Sequence, residues 1–248
     1  MINVLICGIN TDMGRSMYEV AERNGINVVC GVDKTISDVF NCPVYNSYED
    51  VREMVDFVID VSSPDMLDMT LGFVKENNYP LIEGTTGYSI KQKDELRKAG
   101  EVVPVFMSYN LSLGVNVLFR LCVETAKVLR GYDIEIVERY NAKKVNTPGS
   151  TTLNLANEPN EALGGNMKII IGRTSLRKSG EICLHCIRGG NVDSQHDVLF
   201  IGEKETITIS HITEDNSLYA EGAVMIVNFL KEKKNGFLTL KDYFKETF

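Results

Sequence analysis

The sequence has no excess of positive charge and no long apolar stretch, and each absence excludes a class of protein. Its 248 residues carry 26 Lys and Arg against 34 Asp and Glu, a net charge of −8, without a long basic run. A general nucleic-acid binder usually has a basic face, so we expect no nucleic-acid partner. No segment approaches the roughly 18 apolar residues of a membrane-spanning helix, so we expect no membrane association.

The N-terminus lacks the marks of a secretion signal, and the cysteines lack the pattern of a metal site. Residues 1–8 have no basic start and no small-residue cleavage site, which predicts a cytoplasmic location. Most of the six cysteines lie in apolar runs, as free thiols often do. Cys183 and Cys186 have CxxC spacing, but no second pair accompanies them. Strand alternation directs them to opposite faces, so we predict no bound metal.

Strands and helices alternate over the first 107 residues. Hydrophobic residues make up 44% of the chain and charged residues 24%, as in an ordinary globular protein. The pattern predicts strands at 2–7, 26–32, 55–61, 80–83 and 102–107, and helices at 15–24, 65–78 and 89–99. This order indicates an α/β fold, a Rossmann-type, doubly wound parallel sheet.

The pattern changes after residue 107. A long helix at 112–129 precedes strands at 133–138, 167–172, 181–188, 197–202 and 205–212, with one helix at 154–163 between them. A helix at 219–232 and a short last element at 240–244 end the chain. We predict a second, α+β domain with a mixed or antiparallel sheet.

The turn between the first strand and the first helix has the position of a dinucleotide-binding turn. It reads Gly8-Ile9-Asn10-Thr11-Asp12-Met13-Gly14, so the strict GxGxxG spacing is not met. Gly8 suits a tight turn, Gly14 suits close helix–strand packing, and the helix start suits a pyrophosphate. Asp33, at the end of the second strand, is placed to accept from ribose hydroxyls and favours NADH. Lys34 could tolerate a 2′-phosphate. The alternative is a flavodoxin-like sheet that binds no dinucleotide.

A lysine pair beside a hydroxyl-rich turn indicates an anion site in the second half. Lys143 and Lys144 precede the turn Gly149-Ser150-Thr151-Thr152. Ammonium groups supply charge, and such a turn offers N–H and hydroxyl donors. In an acidic protein this predicts a small anionic ligand. The alternative is a solvated lysine pair on a loop.

Taken in order, these motifs resemble the 4-hydroxy-tetrahydrodipicolinate reductase (dihydrodipicolinate reductase) family over nearly the whole chain. The resemblance rests on segments 13–15, 84–87, 108–116, 135–138, 188–190 with His196, and 220–223. It implies a dinucleotide-binding domain at 1–107, completed by 220–248, and a substrate-binding and oligomerisation domain at 108–219. It also implies a homotetramer and hydride transfer from NADH, our preferred cofactor, or NADPH to a cyclic dicarboxylate imine.

The resemblance also assigns cofactor-binding residues. They are Gly8, Ile9, Asn10, Thr11, Asp12, Met13, Asp33, Lys34, Gly84, Thr85, Thr86, Ser108, Tyr109, Asn110 and Leu111.

The substrate loop departs from the family pattern, E-x-H-H-x-x-K-x-D-x-P-S-G-T-A. Tyr140 and Asn141 stand where the family has two histidines, and Asn146 stands where it has an aspartate, while Lys144 is kept. The resemblance implies Lys144 as proton donor with Tyr140 as its catalytic partner, and Asn141, Ser150 and Thr151 as carboxylate ligands. Two alternatives stay open: a related anionic imine as substrate, or a non-catalytic dinucleotide-binding homologue.

Overall fold

The computed structural model describes residues 1–108, 110–215 and 217–247. They form two compact units, one containing the chain up to Ser112 and from Ser217 onward, the other containing the chain between them. The strands are β1 (Ile2–Cys7), β2 (Ile26–Val32), β3 (Val44–Tyr45), β4 (Phe57–Asp60), β5 (Leu81–Glu83), β6 (Pro104–Met107), β7 (Asp133–Tyr140), β8 (Lys168–Ile171), β9 (Glu181–Arg188), β10 (Ser194–Ile201), β11 (Thr206–Thr213) and β12 (Gly236–Leu238). The α-helices are α1 (Asp12–Arg23), α2 (Leu67–Asn77), α3 (Ile90–Ala99), α4 (Leu113–Val128), α5 (Ser150–Ala162), α6 (Leu218–Leu230) and α7 (Leu240–Thr247).

The first unit contains a parallel sheet with helices on both faces. Its strand order is β12-β6-β5-β4-β1-β2-β3, and every pairing is parallel. Side chains of a strand alternate between faces. Val4 and Ile6 therefore pack in the cluster that contains α1 and α6 residues, while Leu5 and Cys7 pack in the cluster that contains α2 and α3 residues.

The second unit contains a mixed sheet of order β11-β10-β7-β9-β8. β10 runs antiparallel to β7 and β11, while β9 runs parallel to β7 and β8. One face packs on α4 and α5 through a buried cluster that includes Ile134, Ile136 and Phe200. The predicted fold class, a doubly wound parallel sheet plus an α+β domain with a mixed sheet, is confirmed.

The largest differences from the predicted elements concern α5, β3 and β12. α5 begins at Ser150, four residues before the predicted start, because the hydroxyl-rich stretch forms the first helical turn instead of a loop. β3 and β12 were not predicted, since strands of two and three residues carry too little periodicity. None of the helices in the described residues is both long and apolar enough to span a membrane.

Candidate active site

Two glycines shape the turn after β1. Gly8 has φ +80°, and a Cβ there would lie 2.7 Å from the Ser62 Cα. A Cβ on Gly14 would lie 2.1 Å from the Gly8 carbonyl oxygen, so α1 can approach β1 this closely only without a side chain. The turn thus presents bare backbone beside a helix N-terminus, the arrangement that holds phosphates.

Thr11 caps α1. Of the residues near it, Asp12 is exposed to solvent, whereas Ile9 and Met13 pack in the core. The Thr11 Oγ1 accepts from the Gly14 N–H at 3.0 Å and donates to the Gly8 carbonyl at 2.7 Å. Asp12 is exposed in the first turn of α1. Ile9 is fully buried and Met13 packs against the same core cluster, so both reach a ligand only through their backbone.

Two charged residues, Asp33 and Lys34, directly follow the end of β2. The Asn10 N–H donates to the Asp33 Oδ2 at 3.0 Å and fixes the orientation of that carboxylate. The Lys34 ammonium pairs with Asp65. Donation from Lys34 and from the Ser63 hydroxyl lowers the pKa of Asp65 to about 2. The charge next to Asp33 is therefore already neutralised by a partner that sequence patterns did not indicate.

A cavity of about 160 Å³ lies over this turn. Four of the predicted cofactor residues line it, namely Gly8, Thr11, Asp33 and Lys34, together with Ser62 and Ser63 from the loop after β4. Bare backbone at a helix start and a carboxylate at the end of the second strand are what a dinucleotide requires. The residues present therefore fit this cofactor. The serines follow the end of a strand of the parallel sheet, and this position and their small hydroxyl side chains are the sequence signals for them.

A buried pair of carboxyl groups, Asp60 and Glu83, lies at the ends of β4 and β5. The Thr85 N–H donates to the Glu83 Oε1 at 2.8 Å, and its hydroxyl donates to the Asp60 Oδ1 at 3.2 Å. Burial raises the pKa of Asp60. Burial, with the charge of Asp60, raises the pKa of Glu83 well above its usual range. Thr85 thus donates hydrogen bonds to both buried carboxyl groups, whereas Thr86 is exposed.

The segments around Gly84 and Ser108 pack closely against their surroundings. A Cβ on Gly84 would lie 3.1 Å from Val61 Cγ1. The Ser108 hydroxyl donates to the Asn110 carbonyl at 2.7 Å. Leu111 is buried, and a Cβ on Gly222 of α6 would lie 1.8 Å from its carbonyl oxygen. Tyr109 lies outside the described residues.

In the second unit, Glu138 anchors the lysine loop. It is fully buried on β7. It accepts from the Gly149 N–H at 2.9 Å, from Arg188 at 2.6 Å and from the Thr152 hydroxyl. Burial alone would raise the pKa of Glu138, but these donors lower it below its usual value. The carboxylate therefore stays charged and ties the start of α5 to the sheet.

The loop and the start of α5 offer positive charge and backbone N–H donors. Arg188 also donates to the Asn146 carbonyl and to the Thr147 hydroxyl, both at 2.9 Å. Ser150 and Thr151 are the first two residues of α5, behind a glycine N-cap without a side chain. The N–H groups of a first helical turn lack helical partners and attract negative charge.

Tyr140 is surrounded by nitrogen groups. Lys144 Nζ lies 4.9 Å from the centre of its ring, and the Arg188 guanidinium lies 5.2 Å from it. The Tyr140 hydroxyl lies 3.3 Å from His196 Nε2. The Asn141 Oδ1 accepts from the Lys143 N–H at 3.0 Å and so shapes the turn. No sequence spacing indicated His196 beside Tyr140; the pairing of β10 with β7 creates this contact.

Among the residues that the structure describes, one group of side chains has the composition of a metal site. Glu135, Cys183 and His185 offer ligand atoms within 4.8 Å of one another. Glu135 already binds His185 Nε2 at 2.6 Å and Arg173 at 2.8 Å. An ion-pair network therefore accounts for this group, and the guanidinium opposes a further cation.

Residues 2–111 match the family described as dihydrodipicolinate reductase, N-terminus, and residues 114–244 match its C-terminus. The chain belongs to the dihydrodipicolinate reductase family. Curated relatives named 4-hydroxy-tetrahydrodipicolinate reductase include one from Caldanaerobacter subterraneus subsp. tengcongensis, 37% identical over 99% of both chains. Another, from Alkaliphilus oremlandii, is 36% identical over 97% of this chain and 98% of its own.

Solved structures support the reductase fold. The dipicolinate-bound dihydrodipicolinate reductase from Paenisporosarcina sp. TG-14 has a TM-score of 0.81 at 19% identity, covering 98% of this chain and 99% of its own. GenD2 from gentamicin A biosynthesis, in complex with NAD, has a TM-score of 0.59 at 12% identity, covering 92% and 86%.

Proposed function

We propose that this protein reduces 4-hydroxy-tetrahydrodipicolinate to tetrahydrodipicolinate, a step of lysine and diaminopimelate biosynthesis, with a nicotinamide dinucleotide as cofactor. Full-length membership of the reductase family supports the activity. The observation that supports the substrate class is the N-terminus of α5, where Ser150 and Thr151 follow the loop that bears Lys144. A dicarboxylate matches such a site.

We propose NADH as the preferred cofactor. When bound, reduced nicotinamide supplies the hydride. The Asp33 carboxylate, oriented by the Asn10 N–H, suits ribose hydroxyls and repels a 2′-phosphate. Lys34, the cation beside it, is engaged by Asp65. Both features favour NADH over NADPH.

Lys144 and Tyr140 are the proposed catalytic residues. A tyrosine, whose ordinary pKa is about 10, donates a hydrogen bond well but is a poor base at neutral pH. We therefore assign proton donation to Lys144 and orientation of the substrate to Tyr140. Asn141, Ser150 and Thr151 are the proposed carboxylate ligands.

A coupled assay tests this function. The synthase that makes 4-hydroxy-tetrahydrodipicolinate would supply fresh substrate, and oxidation of NADH and NADPH would be followed separately. We expect turnover with both cofactors and a higher kcat/KM with NADH. Turnover no faster than the uncatalysed background would reject the proposal.

A related anionic cyclic imine is the second candidate substrate. The observation that favours it is Tyr140, which has a hydroxyl where the family pattern has an imidazole. A panel of cyclic imines and keto acids with NADH separates the two candidates. Turnover confined to 4-hydroxy-tetrahydrodipicolinate would remove this one.

We further propose a cytoplasmic homotetramer. The face of the mixed sheet opposite α4 and α5 exposes Ile187 by 47% and Ile212 by 57%, which suits burial against further copies. Sedimentation equilibrium is expected to give four times the mass of the chain. A monomer at micromolar concentration would contradict the assembly.

A further inference from the structure

His196 is placed beside Tyr140 by strand pairing. β10 runs antiparallel to β7 with His196 opposite Glu138, two residues before Tyr140. The two rings meet edge to face with centroids 5.5 Å apart, and His196 Nε2 lies 3.3 Å from the Tyr140 oxygen. The imidazole thus contacts the one side chain of the loop that differs most in chemistry from the family pattern.

His196 is neutral at physiological pH. It is 1% exposed, and burial lowers its pKa to about 4. The charged and titratable groups that act on it are Glu138 on β7 and Asp197 on β10, which favour the imidazolium, and His211 on β11 and Lys144 of the loop, which oppose it. A neutral imidazole has one N–H donor and one lone pair.

The surroundings of the ring decide which nitrogen carries the proton. The His196 Nδ1 is buried and has no hydrogen-bond partner among the described residues. A buried N–H without an acceptor is rarer and more costly than an unused lone pair. The proton therefore belongs on Nε2, which then donates to the Tyr140 oxygen.

We propose that His196 is a positioning residue that sets the direction of the Tyr140 hydroxyl. The Nε2–H occupies one lone pair of the phenol oxygen, so the O–H points away from the imidazole and donates a hydrogen bond to the bound anion. Lys144 and Arg188 near the ring reinforce an anion at this place. The inference rests on the proposed function, because it takes the substrate dicarboxylate as that anion.

Nitrogen-15 spectra of the imidazole rings test the geometry without any activity. The chain has three histidines, so H185Q and H211Q variants assign the signals. We expect His196 as the Nε2–H tautomer, neutral down to about pH 4, with an Nε2 shift that changes in Y140F. An Nδ1–H tautomer, or no change in Y140F, would overturn the inference.

Two substitutions at His196 distinguish the hydrogen bond from its Nε2 to Tyr140 from the packing of its ring. The amide nitrogen of Gln reaches the place of Nε2, whereas that of Asn reaches only the place of Nδ1. We expect H196Q to keep kcat/KM and the affinity for pyridine-2,6-dicarboxylate within about twofold. H196N is expected to lose about three- to tenfold in both, the size of one neutral hydrogen bond. In a Y140F background the two variants are expected to be equal.

Equal losses in H196Q and H196N, or a difference that persists with Y140F, would overturn the inference. Thermal unfolding identifies a variant that simply fails to fold. If the wild-type protein turns over no substrate, the proposed function fails, while the pyridine-2,6-dicarboxylate affinities still decide the inference. Absence of binding to the wild type would reject it as well.

Discussion

Lys143 and Lys144 are neighbours in sequence, but their side chains have different surroundings. Both lysines are exposed, but Lys144 Nζ lies over the Tyr140 ring, whereas Lys143 takes part in the turn through its backbone N–H. We expect K144M to lower kcat about 10²–10⁴-fold, as for the loss of a general acid. The matched variant K143M is expected to stay within about twofold. Steady-state kinetics measure both, and equal losses would contradict the assignment of Lys144.

Asp65 is expected to limit the use of NADPH through Lys34. The D65N substitution releases the Lys34 ammonium to a 2′-phosphate. We expect kcat/KM for NADPH to rise up to about fivefold, the upper range for an exposed ion pair, with little change for NADH. D68N, an exposed carboxylate one helical turn away, is the control. An unchanged ratio of kcat/KM for NADPH to kcat/KM for NADH would show that Lys34 does not bind the 2′-phosphate.

Residue-level prediction succeeded where the contacts are local in sequence and failed where strand pairing makes them. The turn residues Gly8, Thr11 and Asp33 were predicted as neighbours because one βαβ unit contains them. The contact of Tyr140 with His196 depends on the register of β10 with β7, which alternation alone leaves undetermined.

At the scale of elements, the packing of α1 on β1 depends on Gly14. We expect G14A to destabilise the protein by about 1–3 kcal/mol, because its Cβ would overlap the Gly8 carbonyl 2.1 Å away. G72A in α2 meets nothing within 4 Å. That control is expected to be neutral or to stabilise by about 0.5–1 kcal/mol. Urea unfolding compares them, and similar stabilities would refute the overlap.

The docking of α5 depends on Glu138. We expect E138Q to cost about 3 kcal/mol at pH 7, because Arg188 loses its buried partner. The pKa of Glu138 is lowered in the folded protein, so its contribution is complete above the ordinary value of 4.5 and is lost as the pH falls through the lowered value.

The stability gap between wild type and E138Q is therefore expected to narrow below pH 4.5. Urea unfolding at a series of pH values measures it, with the exposed E161Q of the same helix as control. A gap that is constant with pH would show that the charge of Glu138 contributes nothing.

Prediction of elements was limited by competing local signals. The stretch Gly149-Ser150-Thr151-Thr152 favours both a turn and a helix start. Its helical form is stabilised by Glu138, eleven residues away, through the Gly149 N–H. β12 exists because it pairs with β6, and its sequence has no period that indicates this partner.

For the whole molecule, the pair of Asp60 and Glu83 contributes to the dependence of stability on pH between the acid range and neutrality. Both pKa values are raised on folding, so the folded state binds more protons above the ordinary values, and stability falls as pH rises. We expect E83Q to remove part of the loss of stability that the wild-type protein shows as the pH rises. Its stability relative to wild type should increase from pH 5 to pH 8, by at most about 1.4 kcal/mol per pH unit. The exposed E76Q is the control, and parallel curves for E83Q and wild type would contradict the raised pKa.

The whole-molecule fold was the most predictable level. Five buried strands alternating with three helices allow few arrangements other than a doubly wound parallel sheet. The mixed sheet was predicted as mixed or antiparallel, but its strand order, with β7 in the centre, requires long-range pairings that the linear pattern does not contain.

The anchoring of the lysine loop bears on how such an enzyme evolves. Its shape is held by Glu138, by Arg188, by the Asn141 side chain and by backbone groups of Asn146 and Gly149. The side chains that depart from the family pattern at 140 and 146 are not among these anchors. Mutation can therefore explore new chemistry at those positions while the scaffold keeps its form, so this loop is a natural starting point for directed evolution of imine reduction.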